Sequence, residues 1–480
     1  MRRISPFKYG SSLLLSLLVF TGSAWAADYT EEQYVNEVMA GSKDLQATQQ
    51  DIRASRIDEG QVDLQLSPIL NASTAINQDR RQQQFSSPSY ESANTVMADA
   101  SVSQQTSQGT RYKVGVEGRQ MHLKGINLGP NAPRMDADLA TLSPSIEVSQ
   151  SLWQNAWGRS IELQRSALTS ATRIQERQLE AMQAGKRLEA RLAYGRVVFA
   201  RERVQNAEES LANAEKILKY VKDKANRNLA ETSDLLQSQA LTASRELELR
   251  QAQAELDEAH VFFNSLRQRS GPAPEKLQSL KAITTPVKTQ SLDVNNRVEL
   301  AIYEAQLKAT TSSIELEKEN ARSTFEVFAS YSALSTREEI MDTPSGFGSP
   351  YQPNTTIGLR LSMPLDQGLV NRQLQASSVR KTATELRRED ERIKLQAELS
   401  SLLVKRKDSM ATLAVAEKLE TLQRKKLDNE QKEYRNGRST TYQILMFTQD
   451  LANAEFAKLQ ILYSLKIIDS QIRMYERNAA

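Results

Sequence analysis

The side chains that could do chemistry in this 480-residue chain are few and scattered. There are two histidines, His122 and His260, and no cysteine. A zinc site needs three or four donors held close together, so neither histidine is assigned a metal. Gly115 and Gly118, like Gly346 and Gly348, lack the Gly-x-x-x-x-Gly-Lys or dinucleotide context that cradles phosphate. The Glu and Lys runs are solvated helix faces, each local pair worth tenths of a kcal/mol. We therefore assign no catalytic residue, no cofactor and no metal, and look for function in position instead. Two groups stand out. Asn228, Thr232 and Asp234 mark one polar break between long helical segments, and Tyr434, Gly437, Arg438 and Ser439 mark another. Trp153, Trp157, Pro364 and Gly368 mark places where extended sequence turns into helix. Capping and turn chemistry alone would explain the first group. In the second, Pro364 and Gly368 redirect the chain, and a buried turn anchor is one reading of the tryptophans.

The first 26 residues carry Arg2, Arg3 and Lys8, an apolar stretch from Leu13 to Phe20, and small residues at Ala24 and Ala26. That pattern is a secretory leader with cleavage expected after Ala26. The whole chain has 62 basic and 59 acidic residues, and the leader holds three of the basic ones, so the mature chain is formally neutral. Such balance gives no footprint for nucleic acid. With no cysteine in an oxidising compartment, stability must come from packing or assembly. Only 39% of residues are hydrophobic and 6% aromatic, which suits narrow helical seams better than broad cores. No later segment is long and apolar enough for a membrane helix, so any entry into a membrane must be as a closed sheet.

Residues 31 to about 61 read as helix. Alternation follows from Val62 to Arg80 (Val62, Leu64, Leu66, then Ala72, Thr74, Ile76), again at Tyr112, Val114 and Val116, and again at Ile146 and Val148. Beta segments are expected over about 62–152. From about 159 to 225 there is no proline, enough for ~100 Å of helix. Within it Val204, Ala207, Leu211, Ala214, Leu218, Val221 and Ala225 form a heptad seam. A return helix over about 234–269 carries Leu236, Ala240, Ala243 and Leu247. The second half gives a helix, beta segments over about 325–365 in which Ile357, Leu359, Leu361 and Met363 alternate, a long helix over about 369–434, and a return helix over about 443–474.

Helix, strands, long helix, break and return helix thus occur twice, over 27–290 and 291–480, which reads as a tandem repeat. Strands placed between paired long helices put a sheet at one end and helical tips at the other. About four strands per chain cannot close a membrane barrel, whereas a trimer would supply about twelve. The first half holds more extended sequence than one hairpin needs. The surplus is an external loop, additional strands or a plug-like insert.

This arrangement resembles the TolC-like outer-membrane efflux and secretion channels along nearly the whole mature chain. The residues that carry the resemblance are Ser149-Gln-Ser-Leu-Trp-Gln-Asn-Ala-Trp-Gly158, Leu359-Arg-Leu-Ser-Met-Pro-Leu-Asp-Gln-Gly368, Thr232-Ser-Asp-Leu-Leu-Gln-Ser-Gln239 and Tyr434-Arg-Asn-Gly-Arg-Ser439. It implies a mixed α/β membrane protein: a homotrimer with a twelve-stranded outer-membrane β-barrel continuous with a periplasmic α-helical coiled-coil barrel. It implies a passive exit duct for tripartite efflux or type I secretion. The partners implied are a periplasmic adaptor (membrane fusion) protein, an inner-membrane transporter of RND, ABC or MFS type, and outer-membrane lipid. The tip residues would then dock the adaptor and control the entrance, and Trp153 and Trp157 would lie at the membrane interface. Family members often carry an acidic residue where Ile444 stands, so only Asp234 is left for an acidic entrance ring. The competing reading is a non-conducting periplasmic or surface coiled-coil scaffold with a small adhesive β domain.

Overall fold

The computed structural model describes residues 29–80, 89–127, 133–227, 229–269, 276–283, 292–348, 352–436 and 438–476. The leader, Asn228 and Gly437 lie outside the described residues. In chain order the elements are α1 (Glu31–Gly41), α2 (Lys43–Glu59), α3 (Gln61–Leu64), β1 (Ile69–Asp79), β2 (Ser92–Gln105), β3 (Thr110–Ile126) and β4 (Met135–Ser151). Then come α4 (Arg159–Ala225), α5 (Thr232–Leu266), α6 (Leu280–Ile283), α7 (Val298–Asn320), β5 (Thr324–Arg337), β6 (Gln352–Ser362), α8 (Gln367–Arg435) and α9 (Thr441–Ile472).

Packing divides the chain into two units. One comprises Met1–Gly41, Ala190–Thr285 and Ala411–Ile467; the other comprises Ser42–Glu189, Pro286–Met410 and Ile468–Ala480. In the first, α1 docks through Tyr34, Val35 and Val38 against Tyr194 and Val197 of α4 and Phe263 of α5. Tyr34 and Phe263 stack with ring centroids 3.9 Å apart, and the Tyr34 hydroxyl donates to the Phe263 carbonyl oxygen at 2.9 Å. Beside them Lys466 of α9, 1% exposed, donates to both carboxylate oxygens of Glu31 (2.7 and 2.6 Å) and to the Ile283 carbonyl oxygen (3.1 Å). Gly195 makes room for it: a β-carbon there would stand 3.3 Å from the lysine's γ-carbon.

The second unit holds the sheet. All six strands form one antiparallel meander in the order β1-β2-β3-β4-β5-β6. The surplus extended sequence of the first half is therefore strand: that half gives four strands and the second gives two, where about four per chain were expected. Val62 and Leu64 belong to the helical turn α3 instead of a strand. Val62 is buried at α3 and Leu64 exposed, so their period-2 spacing carried no sheet face. Elsewhere in this unit, Leu300 of α7, Leu395 and Leu402 of α8, and Ile472 and Tyr475 form a separate core.

Candidate functional site

The sheet's two faces follow from its register, because directly opposed residues in antiparallel strands point the same way. Ile76 faces Val96, Val102 faces Val114, Val114 faces Ile146, Ile146 faces Tyr331, and Ala329 faces Ile357. One face accordingly runs Leu70, Ala72, Thr74, Ile76; Val96, Ala98, Ala100, Val102; Tyr112, Val114, Val116; Ile146, Val148; Val327, Ala329, Tyr331; and Ile357, Leu359, Leu361. It is apolar from edge to edge, and the large side chains of β1 and β6 on it are exposed, Ile76 at 81% and Ile357 at 75%. The opposite face carries Asn71, Ser73, Ser101, Ser103, Lys113, Glu117, Ser145, Glu147, Ser330 and Arg360. In a protein surrounded by water, an antiparallel sheet packs its apolar face on the core and leaves the polar face to solvent. This one is dressed for hydrocarbon on one side and water on the other.

The return from strand to helix after β4 is held by backbone that few residues adopt. Asn155 (φ 58°), Trp157 (φ 55°) and Gly158 (φ 81°) are all left-handed. The buried Glu319 accepts from the Asn155 amide at 3.0 Å and pairs with Arg322 at 3.1 Å and Arg159 at 3.6 Å. The β2–β3 turn presses on this corner. A β-carbon on Gly158 would stand 1.6 Å from the Ser107 carbonyl oxygen, and one on Gly109 2.6 Å from the Asn155 carbonyl oxygen. Trp153 and Trp157 are 52% and 75% exposed, which rules out the buried-anchor reading within one chain. At the corresponding turn after β6, Pro364 lies at the bend and Asp366 caps α8, its Oδ1 accepting from the Leu369 amide at 3.1 Å. Gly368 is already in the first turn of α8 and has no positive φ, so the cap and the proline redirect the chain there, not the glycine.

Of the first-group residues, Tyr434 is the one around which other side chains gather, and Asp234 is close enough to act on it. Its hydroxyl lies 2.8 Å from Thr441 Oγ1, Tyr220 of α4 meets its ring edge-on at 5.1 Å, and the Lys224 ammonium stands 4.4 Å from its centroid. Burial pushes the Tyr434 phenol above its ordinary 10.0; the Thr441 hydrogen bond opposes this and the Asp234 charge adds to it. Ile444 is buried in the same apolar cluster with Ile217, Val221 and Leu427, which explains why no acid stands there. Both tips close alike: the Leu229 amide donates to the Lys224 carbonyl at 2.9 Å, and the Arg438 amide to the Glu433 carbonyl at 2.9 Å. Those i to i−5 bonds are helix-end chemistry. Ser439 donates to Glu430, and Thr440 and Gln443 form a reciprocal cap (3.2 and 3.3 Å). Thr232 opens α5 and is exposed, and Arg438 reaches Glu433 only at 4.0 Å. Tyr220, Lys224 and Thr441 carry no sequence signal of their own; the cluster exists only once α4, α8 and α9 are folded together. Beside it lies a cleft of about 360 Å³ lined by Lys216, Gln431 and Arg435 among others.

The long helices have a second side. On α8, Leu395 and Leu402 are buried, while Val379, Leu386 and Ile393, also seven apart, are each more than half exposed. Positions 393 and 395 differ by about 200° round a helix. On α5, Ser238, Arg245, Ala252 and Ala259 are buried, while Ala240, Leu247, Ala254 and Val261 are exposed at the same two-residue offset. Leu236, Ala240, Ala243 and Leu247, read in the sequence as this helix's seam, are thus exposed, with the buried stripe on the other side. Two seams on opposite sides are what a helix needs when it is one stave of a closed wall.

The histidines stay apart from both groups. His122 Nδ1 lies 2.6 Å from Asp138 Oδ1 across β3 and β4, and His260 sits on α5. Among the described residues no group of three or more His, Asp or Glu could hold a metal ion, and no helix is long and apolar enough to cross a membrane.

No family model matches the chain and no curated protein matches it. Solved structures do. The channel CusC, solved in work on folding and transmembrane channel formation, superposes with a TM-score of 0.67 over 95% of this chain and 94% of its own, at 13% identity. The outer membrane protein VceC of Vibrio cholerae gives 0.66 over 93% and 97% at 14% identity. The CmeC outer membrane channel of Campylobacter jejuni gives 0.62 over 100% and 95%, also at 14%. The chain has the fold of these TolC-like outer-membrane channels.

Proposed function

We propose that this chain is one third of a homotrimeric outer-membrane exit duct, a passive conduit with a large periplasmic extension. The observation that carries the reading is the sheet with one face apolar from β1 to β6 and largely uncovered, and the other face polar. Exposed to water, that face would aggregate; set in lipid, it is what a barrel wall requires. The outward seams of α5 and α8 support assembly of the helices into a tube, and the repeated order of elements supports descent from a duplicated half. Trp153 and Trp157, exposed at the strand-to-helix corner, suit the membrane interface. Asn228, Thr232, Asp234, Tyr434, Gly437, Arg438 and Ser439 are proposed to form the entrance and to receive a periplasmic adaptor. An inner-membrane transporter, of RND, ABC or MFS type, would drive substrate through in tripartite efflux or type I secretion. The non-conducting scaffold leaves the apolar sheet face without a use.

Two results test this. Placing aspartate at Leu386 and Ile393 together is expected to abolish the oligomer, read as mass in detergent, while helical content persists through the Leu395–Leu402 seam; an unchanged oligomer would sink the wall reading. Tyr434→Ala removes the ring that gathers Tyr220, Lys224 and Thr441, and is expected to raise the open fraction of single channels severalfold. Unchanged gating would remove the tip cluster from entrance control.

A further inference from the structure

The expected barrel has twelve strands, and the sheet does not fit it. We propose that three copies close an eighteen-stranded barrel, in which β1 of each copy pairs along its free edge with β6 of the next. This rests on the reading as a trimeric duct and adds the wall's composition to it.

The two outer strands of the meander are the only unpaired edges of the described sheet. Each is 11 residues long. Six is an even number, so the first and last strands run in opposite directions, and rotation about a threefold axis brings them together antiparallel. The apolar face continues across such a seam without a break, since Leu70 and Ile76 at one edge and Ile357 and Leu359 at the other share it. An edge left open in lipid would strand its N–H and C=O groups, so closure is obligatory.

The register sets the geometry. A single row of paired residues crosses the sheet as Ile69, Ser103, Lys113, Glu147, Ser330 and Thr356. The row through Thr74, at the middle of β1, crosses Ala98, Gly118, Leu142 and Ser335 and then passes beyond the start of β6. Laying β1 of the next copy fully along β6 sets Thr74 opposite Ile357, a displacement of about six residues over six strands. With ~3.4 Å per residue and ~4.8 Å between strands, that corresponds to a tilt of about 35°, inside the range of closed barrels. The displacement is even, so both residues stay on the apolar face. At that tilt eighteen strands enclose a backbone cylinder about 34 Å across, against about 23 Å for twelve. The extra width comes from the added hairpin of the first half, and it lets the membrane end pass bulkier cargo than a twelve-stranded wall would.

The chain has no cysteine, so introduced thiols report without background. Thr74→Cys and Ile357→Cys in one chain place two thiols at a cross-strand position whose Cα separation suits a disulfide. A membrane-permeant oxidant is expected to convert the double variant to covalent dimers and trimers, with neither single variant forming the trimer. Electron cryomicroscopy of the wild-type oligomer in lipid discs is expected to count eighteen strands. A trimer with a twelve-stranded wall, its thiols unlinked at Ile357 and at Thr355 or Leu359 on either side, overturns the proposal and leaves the duct standing. A protein that forms no ring overturns both.

Discussion

Gly158→Ala is expected to destabilise the protein by more than about 4 kcal/mol and to leave no assembled oligomer. Two costs coincide at this position. The φ of 81° is one that residues with a β-carbon rarely adopt, and the new carbon would overlap the Ser107 carbonyl oxygen at 1.6 Å. Neither neighbour can yield cheaply. Ser107 belongs to the turn that registers β2 on β3, and Asn155 and Trp157 are already left-handed beside Gly158. The matched control is Gly185→Ala in α4, where nothing stands within 4 Å of the new carbon. There the substitution should stabilise by about 0.5–1 kcal/mol, because alanine loses less entropy in a helix than glycine does. Thermal loss of helical signal in detergent compares the two. Equal midpoints would show that the corner is not held as described.

The second large effect is at the buried ion pair of α1. Glu31→Ala leaves the Lys466 ammonium buried without its carboxylate and should cost about 3–5 kcal/mol. Replacing both residues by apolar ones of similar volume should recover most of that loss, since the desolvation penalty disappears along with the attraction. The physical consequence is local. Lys466 also holds the Ile283 carbonyl oxygen, so its release frees α1 and the α6 turn from α4 and α9 together. Proteolysis within α1 of the single variant, restored to wild-type resistance in the double one, is the expected readout. A single variant as resistant as wild type would contradict it.

Much of the architecture is legible in residue spacing. The seam of Val204, Ala207, Leu211, Ala214, Leu218, Val221 and Ala225 is buried or half-buried along its length, because a heptad commits a helix to one stripe. The alternation of Ile357, Leu359 and Leu361 places all three on one apolar face of β6, opposite Ala329, Val327 and Phe325, because strand side chains have period 2. The number of strands is harder to read. Membrane strands alternate weakly: Ala72, Thr74 and Ile76 mark β1 as extended, but the serine- and threonine-rich stretch that follows does not show how many strands it holds. Leu247 shows the opposite failure: its spacing reveals a seam but not that this seam is left exposed in the folded chain. At the tips, Asp234, Tyr434 and Ser439 were accessible through turn chemistry. Tyr220 and Lys224 were not, since a ring or an ammonium on a heptad helix looks the same whether it meets solvent or a tyrosine more than two hundred residues away. Pairing over such separations leaves no local pattern.

A conducting duct in the outer membrane has a direct electrical signature. Single-channel recording of the detergent-extracted oligomer in a planar bilayer, on wild type and on Tyr434→Ala, tests it most directly. A trimeric duct gives discrete conductance steps, with openings more frequent in the variant. A protein that is recovered in soluble periplasmic extract, and whose tip variant never inserts or conducts, would contradict it.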